Sequence, residues 1–189
     1  MLNEPGELND LFPDRAETEA EEMFATADRL LNEGVVMEAV EKLSQILKRN
    51  PRFGKAYNHL GWIFETKYQN NQRAEVYYKE AIRFAPNYIA SYLNLSYFLS
   101  NLGRFDELKE HLDKMSNIAG IPKEIIYIEY AILYEMSGNL ESALDYYHKA
   151  AITTLDSLKL EKYKESIERC QKKRDLVAGD IWKENEIID

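Results

Sequence analysis

The sequence predicts an all-α protein that is built from a repeated pair of helices. Three observations support this prediction. Apolar residues recur at spacings of three and four, four segments repeat every 34 or 35 residues, and glycine or proline interrupts the pattern between segments. The chain has 189 residues, of which 45% are hydrophobic and 30% charged, as expected for a globular protein with its own core.

Four units share one register. A small or apolar residue marks the same place in each unit: Ala39, Ala74, Leu108 and Ala143. A large apolar residue follows each of them by four positions: Leu43, Tyr78, Leu112 and Tyr147. Glycine precedes the first set by five positions in three units: Gly34, Gly103 and Gly138. We therefore expect four helix pairs, with glycine in a left-handed conformation where the first helix of a pair ends.

The second unit shows the helix pair most fully. Its residues at helical spacing are, in order, Tyr57, Leu60, Gly61, Phe64, Ala74, Tyr78, Ala81 and the closing Pro86. Small residues at Gly61 and Ala74 predict that the backbones of the two helices approach closely there.

This pattern resembles the tetratricopeptide repeat family, whose signature places an aromatic, a Leu-Gly and a Tyr on the first helix and an Ala, an aromatic, an Ala and a Pro on the second. The resemblance covers about residues 18–155. It implies a right-handed superhelical solenoid of antiparallel helix pairs, with about four repeats and a C-terminal capping helix. The implied repeats span about residues 20–53, 54–88, 89–123 and 124–157. Gly120 and Leu155 depart from the signature where a proline is expected.

The segments that flank the repeats are acidic. Residues 1–22 hold eight acidic residues and one basic residue, and residues 175–189 hold five and one. We expect a flexible N-terminal segment over 1–16, four repeats over 17–155, a capping helix over 156–174, and a tail or short helix after it. The capping helix would bury one apolar stripe: Leu160, Tyr163, Ile167 and Cys170.

Composition argues against several classes of protein. Residues 23–174 hold 22 basic and 20 acidic residues, so no basic stripe predicts nucleic-acid binding. No apolar run reaches the length of a membrane span, and the N-terminus lacks the pattern of a signal peptide. We therefore expect no membrane insertion and a cytoplasmic location. The single cysteine, Cys170, excludes an internal disulfide framework.

The sequence predicts no active site, no cofactor and no metal site. Its three histidines, His59, His111 and His148, fall on three different predicted helices, and none has a histidine partner at metal-binding spacing. The glycines are scattered and form no phosphate-binding loop. A non-enzymatic protein is expected.

The resemblance implies that positions two, five, six, nine and twelve or thirteen of each unit face a concave groove. The residues placed there are Phe24 and Asp28 in the first unit, Asn58, His59, Trp62 and Glu65 in the second, Leu93, Asn94, Tyr97 and Asn101 in the third, and Ile125, Ile128, Glu129, Ile132 and Glu135 in the fourth. Trp62 and Tyr97 have an alternative place, packed against the second helix of the same or the next unit. Sequence alone leaves both open.

One known function of the family does not fit these positions. Some tetratricopeptide cochaperones hold the C-terminal carboxylate of a chaperone with a clamp of Lys, Asn and Arg side chains. The corresponding positions here hold Phe24, Asp28, His59, Ala90 and Asn94. Only Asn94 is suitable, and the charge of Asp28 would repel a carboxylate.

We expect a protein-protein interaction module, an adaptor or scaffold that binds a peptide or helix segment of a partner in a groove centred on Trp62, Asn94 and Tyr97. The groove suits a segment with apolar anchors and some basic or amide groups. Two alternatives are a dedicated chaperone for a secreted or assembly client, similar to small acidic tetratricopeptide secretion chaperones, and an enzyme or its regulatory subunit. Self-association as a homo-oligomer also stays open. The apolar residues within 8–13 either fold back into the groove, occupy the groove of a neighbouring molecule, or belong to a solubilising tail.

Overall fold

The computed structural model describes residues 15–185 of the chain, and the side chains of residues 16–179. All regular structure in this range is helical. The helices are α1 (Arg15–Asn32), α2 (Val36–Arg49), α3 (Gly54–Thr66), α4 (Asn71–Phe84), α5 (Ile89–Asn101), α6 (Phe105–Met115), α7 (Lys123–Met136), α8 (Leu140–Thr153) and α9 (Ser157–Asn185). Helix α1 packs on α2, α3 on α4 and α7 on α8, so the prediction of an all-α chain of paired helices is confirmed.

The turns inside the pairs follow the predicted chemistry. Gly34, Gly103 and Gly138 have positive φ angles of 79°, 67° and 81°. After α1, the Val35 N–H donates to the Leu30 carbonyl at 2.8 Å, which closes the helix end in the way that a left-handed glycine permits. The second pair has no glycine at this place, and Gln69 adopts the left-handed conformation instead, with φ of 51°.

The close approach predicted at Gly61 is present. A Cβ atom on Gly61 would lie 2.6 Å from Cδ1 of Tyr78, closer than any side chain tolerates. Tyr78 and Ala74 on α4 are fully buried. The missing side chain of Gly61 is therefore the space that the Tyr78 ring occupies.

The chain forms two compact units, residues 1–98 and 99–189, of which the structure describes the parts given above. In the first unit, α1 to α4 share one core, whose buried members are Ala20, Ala27, Leu43, Ile46, Phe53, Ala56, Leu60 and Ile63. In the second unit, α7, α8 and α9 share another, formed by Ala131, Ala143, Leu144, Tyr147, Ile167 and Cys170. Burial raises the pKa of the Cys170 thiol to about 11.

The helix boundaries near the ends differ from the predicted segment boundaries. Helix α1 begins at Arg15, so residues 15 and 16 are helical rather than part of a flexible segment. Helix α9 continues through residue 174 to Asn185, because no proline interrupts this stretch and Gly179 stays within the helix. Residues 1–14, with the apolar segment 8–13, and residues 186–189 lie outside the described part.

Across residues 15–185, no helix is both long and apolar enough to cross a membrane.

Candidate functional site

The first helices of three successive pairs, α1, α3 and α5, line one cavity in the first unit. Its volume is about 220 Å³. The side chains that line it are Asp28, Leu31, Asn32, Asn58, His59, Trp62 and Asn94. The Asp28 side chain is 55% exposed, so the cavity is accessible from solvent.

Two hydrogen bonds tie these helices together at the cavity wall. Nε2 of His59 lies 3.1 Å from Oδ1 of Asp28, which joins α3 to α1. Nδ2 of Asn94 donates to Oδ1 of Asn58 at 3.0 Å, which joins α5 to α3. Asn58 is only 3% exposed, so this bond offsets the cost of burying its amide. These bonds therefore hold the cavity wall in place without a bound ligand.

Aromatic packing sets the orientation of His59. The Phe24 ring meets the His59 ring edge-on, with centroids 4.5 Å apart, and its centroid lies 5.6 Å from that of the Phe53 ring. Nδ1 of His59 is buried and has no hydrogen-bond partner among the described residues. Phe24, which was predicted to face the groove, thus supports His59 from the core and does not line the cavity.

The Trp62 side chain is half-buried. It lines the cavity and also packs against the core of the first unit. Nζ of Lys67 lies 5.2 Å from the centroid of the indole ring, which is the distance of a cation–π contact.

Three other predicted groove residues of the first unit lie away from the cavity. Glu65 accepts a hydrogen bond from the Tyr78 hydroxyl at 2.6 Å, a contact between α3 and α4. Burial and this bond to a carboxylate raise the pKa of Tyr78 far above its usual range. Leu93 is half-buried, and Tyr97 is 49% exposed. Of the three residues predicted at the centre of the groove, Trp62 and Asn94 therefore line the cavity and Tyr97 does not.

The predicted residues of the second unit have mixed environments. Asn101 is exposed, Glu129 is buried, and three isoleucines of α7 are half-buried: Ile125, Ile128 and Ile132. Ile128 packs against the core of this unit. Contacts from α9 occupy Glu135, because Arg169 donates to both of its carboxylate oxygens, at 2.8 and 2.7 Å.

Glu135 is also bound by Nζ of Lys173 at 2.8 Å and by the Tyr147 hydroxyl at 2.6 Å. The Arg169 guanidinium is the main cause that holds the pKa of Glu135 well below its usual range. These contacts attach α9 to α7 and α8.

Sequence reasoning missed two residues of the cavity, Leu31 and Asn32. They lie one turn after Asp28 at the end of α1. With the first repeat beginning at residue 20, they hold its positions twelve and thirteen, so the family register contained the signal that could have identified them. Over residues 15–185, no cluster of three or more His, Cys, Asp or Glu side chains is arranged to hold a metal ion.

A sequence model of the tetratricopeptide repeat family matches residues 77–110, which run from α4 through α5 into α6 and have the length of one repeat. No curated protein sequence matches the chain.

Solved structures share the fold. PilF of Pseudomonas aeruginosa is similar with a TM-score of 0.69 at 16% identity, over 88% of this chain and 78% of that one. A thermophilic tetratricopeptide repeat protein of Thermus thermophilus gives 0.59 at 24% identity, over 84% of each chain. PilW, a widely conserved type IV pilus biogenesis factor, gives 0.59 at 18% identity, over 92% and 81%. The match over residues 77–110, the repeat spacing and the helix pairs support the resemblance to the tetratricopeptide repeat family, and the solved structures show that the chain has the helical repeat fold of such proteins.

Proposed function

We propose that the chain is a non-enzymatic adaptor or scaffold whose first unit binds a peptide or helix segment of a partner protein in its cavity. One observation carries the proposal: side chains from α1, α3 and α5 converge on a single cavity. Because hydrogen bonds between neighbouring helices already hold Asp28, His59, Asn58 and Asn94, a guest loses little free energy to ordering the site.

The size and chemistry of the cavity favour a protein guest. Its volume of about 220 Å³ is below the roughly 300–1,000 Å³ typical of small-molecule sites, so it suits one inserted side chain of a longer segment. Trp62 offers a large, partly held aromatic surface of the kind that dominates binding at protein interfaces.

The polar lining favours an adaptor over the alternative, a dedicated chaperone. A chaperone that keeps a client from aggregating must cover extended apolar surface, whereas Leu31 and Trp62 are the only apolar side chains among the described residues that line this cavity. We place this activity in the cytoplasm. Co-expression with a partner separates the two functions, because a chaperone's client is soluble only in the complex and an adaptor's partner is soluble alone.

The test uses peptides selected from a displayed random library against the full chain. Trp62→Ala should lower the affinity for the selected peptides at least about tenfold, as expected of an interface anchor. Asn32→Trp should lower this affinity as much, because the larger side chain fills the cavity from an exposed position and removes no core contact. Val76→Ala is the control, since Val76 is 59% exposed on α4 and away from the cavity.

Circular dichroism of each variant establishes that its helices are intact. Unchanged affinity in both Trp62→Ala and Asn32→Trp would move the binding surface away from this cavity and reject the proposal.

A further inference from the structure

Apart from His59, which is bonded to Asp28, the described wall of the cavity carries negative and amide groups. Asp28 supplies a carboxylate, and amides come from Asn32, Asn58 and Asn94. Among the lining residues that the structure describes, none is a lysine or an arginine. A carboxylate or phosphate ligand would bring a second negative charge beside Asp28, with no described lysine or arginine of the wall to pair with it.

The hydrogen bonds of the wall leave specific acceptor atoms available. His59 engages Oδ1 of Asp28, and Oδ2 has no hydrogen-bond partner among the described residues. Asn94 uses its Nδ2 for Asn58, so its Oδ1 is likewise without a partner there. These two acceptors belong to α1 and α5, on either side of the α3 residues that complete the wall.

Nearby cations do not neutralise this acceptor surface. Nζ of Lys55, the only lysine of α3, donates to Oε1 of Glu21 at 2.6 Å. Lys67, just beyond α3, lies over the Trp62 ring, which shows that the face of this indole accepts a cation.

We propose that the cavity selects an arginine side chain of the partner segment, with the guanidinium placed between Asp28, Asn94 and the Trp62 indole. This inference rests on the proposed function of the same cavity. A guanidinium is planar, donates five hydrogen bonds in a fixed fork, and stacks on aromatic rings, so it matches separated acceptors beside an indole. A lysine ammonium is a compact, strongly hydrated charge and uses this geometry less well.

The test is a titration of the ¹⁵N-labelled full chain by NMR with three short probes. The probes are acetyl-Gly-Arg-Gly-amide and its two analogues with citrulline or glutamate in place of arginine. The reporters are the indole N–H of Trp62 and the side-chain amide of Asn94, and the backbone amide of Val76, which is not among the lining residues, is the internal reference.

The arginine probe should shift both reporters, and citrulline, which has nearly the same shape without the charge, should bind at least about tenfold more weakly. The glutamate probe should shift neither. Equal binding of arginine and citrulline, or absence of shifts at both reporters, would overturn the proposal.

A pair of charge-matched variants gives the second measurement. Asp28→Asn keeps an amide oxygen beside His59. It should lower the affinity for the arginine probe about fivefold, as expected for a half-exposed ion pair. Asp106→Asn removes the same charge from an exposed position on α6 and should leave the affinity unchanged. Equal losses in the two variants would mean a general charge effect and overturn the arginine site.

These results are distinguishable from failure of the proposed function. If the selected peptides depend on Trp62 but contain no arginine and are insensitive to Asp28→Asn, the binding cavity stands and the arginine inference is rejected. If the selected peptides are insensitive to both Trp62→Ala and Asn32→Trp, the proposed function itself is rejected.

Discussion

The two units hold the helix that follows a complete pair in different ways. In the first unit, α5 is joined to α3 by one amide–amide bond, between Asn94 and Asn58. In the second unit, α9 is joined to α7 by Arg169 and Lys173 on Glu135. The amide contact leaves a cavity with available acceptors, whereas the charged contact uses the carboxylate fully.

Both units nevertheless share one internal contact. The Tyr78 hydroxyl donates to Glu65 at 2.6 Å, and the Tyr147 hydroxyl donates to Glu135 at 2.6 Å. These tyrosines hold equivalent positions on α4 and α8. The comparison indicates that a common repeat framework borders a cavity in one unit and holds α9 in the other.

The largest loss of stability should come from enlarging the small residue that faces Tyr78. Gly61 faces Tyr78, and Ala131 holds the equivalent position beside Tyr147. Gly61→Ala introduces a Cβ 2.6 Å from the Tyr78 ring and should lower the free energy of unfolding by about 1–3 kcal/mol, measured by urea denaturation.

Gly179→Ala is the matched control, because a Cβ there meets no atom within 4 Å. It should cause no loss of stability, since alanine is the better helix former. If Gly61→Ala caused as little loss of stability as Gly179→Ala, the close approach of Gly61 to Tyr78 would not matter to the stability of the first unit.

Removing the charge of Glu135 should have the next largest effect. Glu135→Gln weakens the contacts with Arg169 and Lys173 but keeps an acceptor for Tyr147, and should cost about 1–2 kcal/mol of unfolding free energy at pH 7. Hydrogen exchange should accelerate in α9. Glu141→Gln, at a side chain that is 75% exposed, is the control.

This loss should depend on pH with a defined sign. The pKa of Glu135 is lower in the folded protein than its usual value of 4.5, so its contribution is complete above that pH. As the pH falls below 4.5, the unfolded chain takes up the proton first. The stability difference between wild type and Glu135→Gln should therefore shrink on acidification, and a constant difference would contradict the assignment.

The repeat spacing predicted the helix pairs because an alanine or leucine every 34 or 35 residues can meet its neighbours only in a regular array. Local exceptions to this pattern were harder to predict from the sequence. Gln69 takes the left-handed conformation that glycine adopts elsewhere, because the chain must turn at the same place whichever residue is present. Gly179 lies within α9 although glycine disfavours helix, and no spacing rule indicates that.

The family register placed Asp28, Asn58, His59, Trp62 and Asn94 on one face, and the structure brings these five to one cavity. It could not separate them from Phe24, whose ring turns to Phe53 and His59, because a helical position defines a direction and not the depth of a side chain. Leu93 and Tyr97 have the correct position but lie beyond the residues that line the cavity.

A smaller effect should follow loss of a hydroxyl between α9 and α7. The Tyr163 hydroxyl donates to Glu124 at 2.7 Å, and Tyr163 is buried. Tyr163→Phe keeps the ring and should cost about 1 kcal/mol of unfolding free energy, whereas Tyr68→Phe, at an exposed tyrosine, should cost nothing measurable. Equal stability of the two variants would show that this hydroxyl contributes nothing to the attachment of α9.

The smallest effect concerns Lys67, which lies over the Trp62 ring in the first unit. Lys67→Ala should lower stability by about 0.5 kcal/mol, the magnitude of an exposed cation–π contact. It should also strengthen binding of the arginine probe about twofold, because a competing cation leaves the ring. Lys48→Ala removes the same charge from an exposed position on α2 and should change neither quantity. Weaker binding after Lys67→Ala, measured in the same NMR titration, would show that the guest does not use the ring face that Lys67 covers. The contrast between the two units would then rest on the Asp28 and Asn94 acceptors alone.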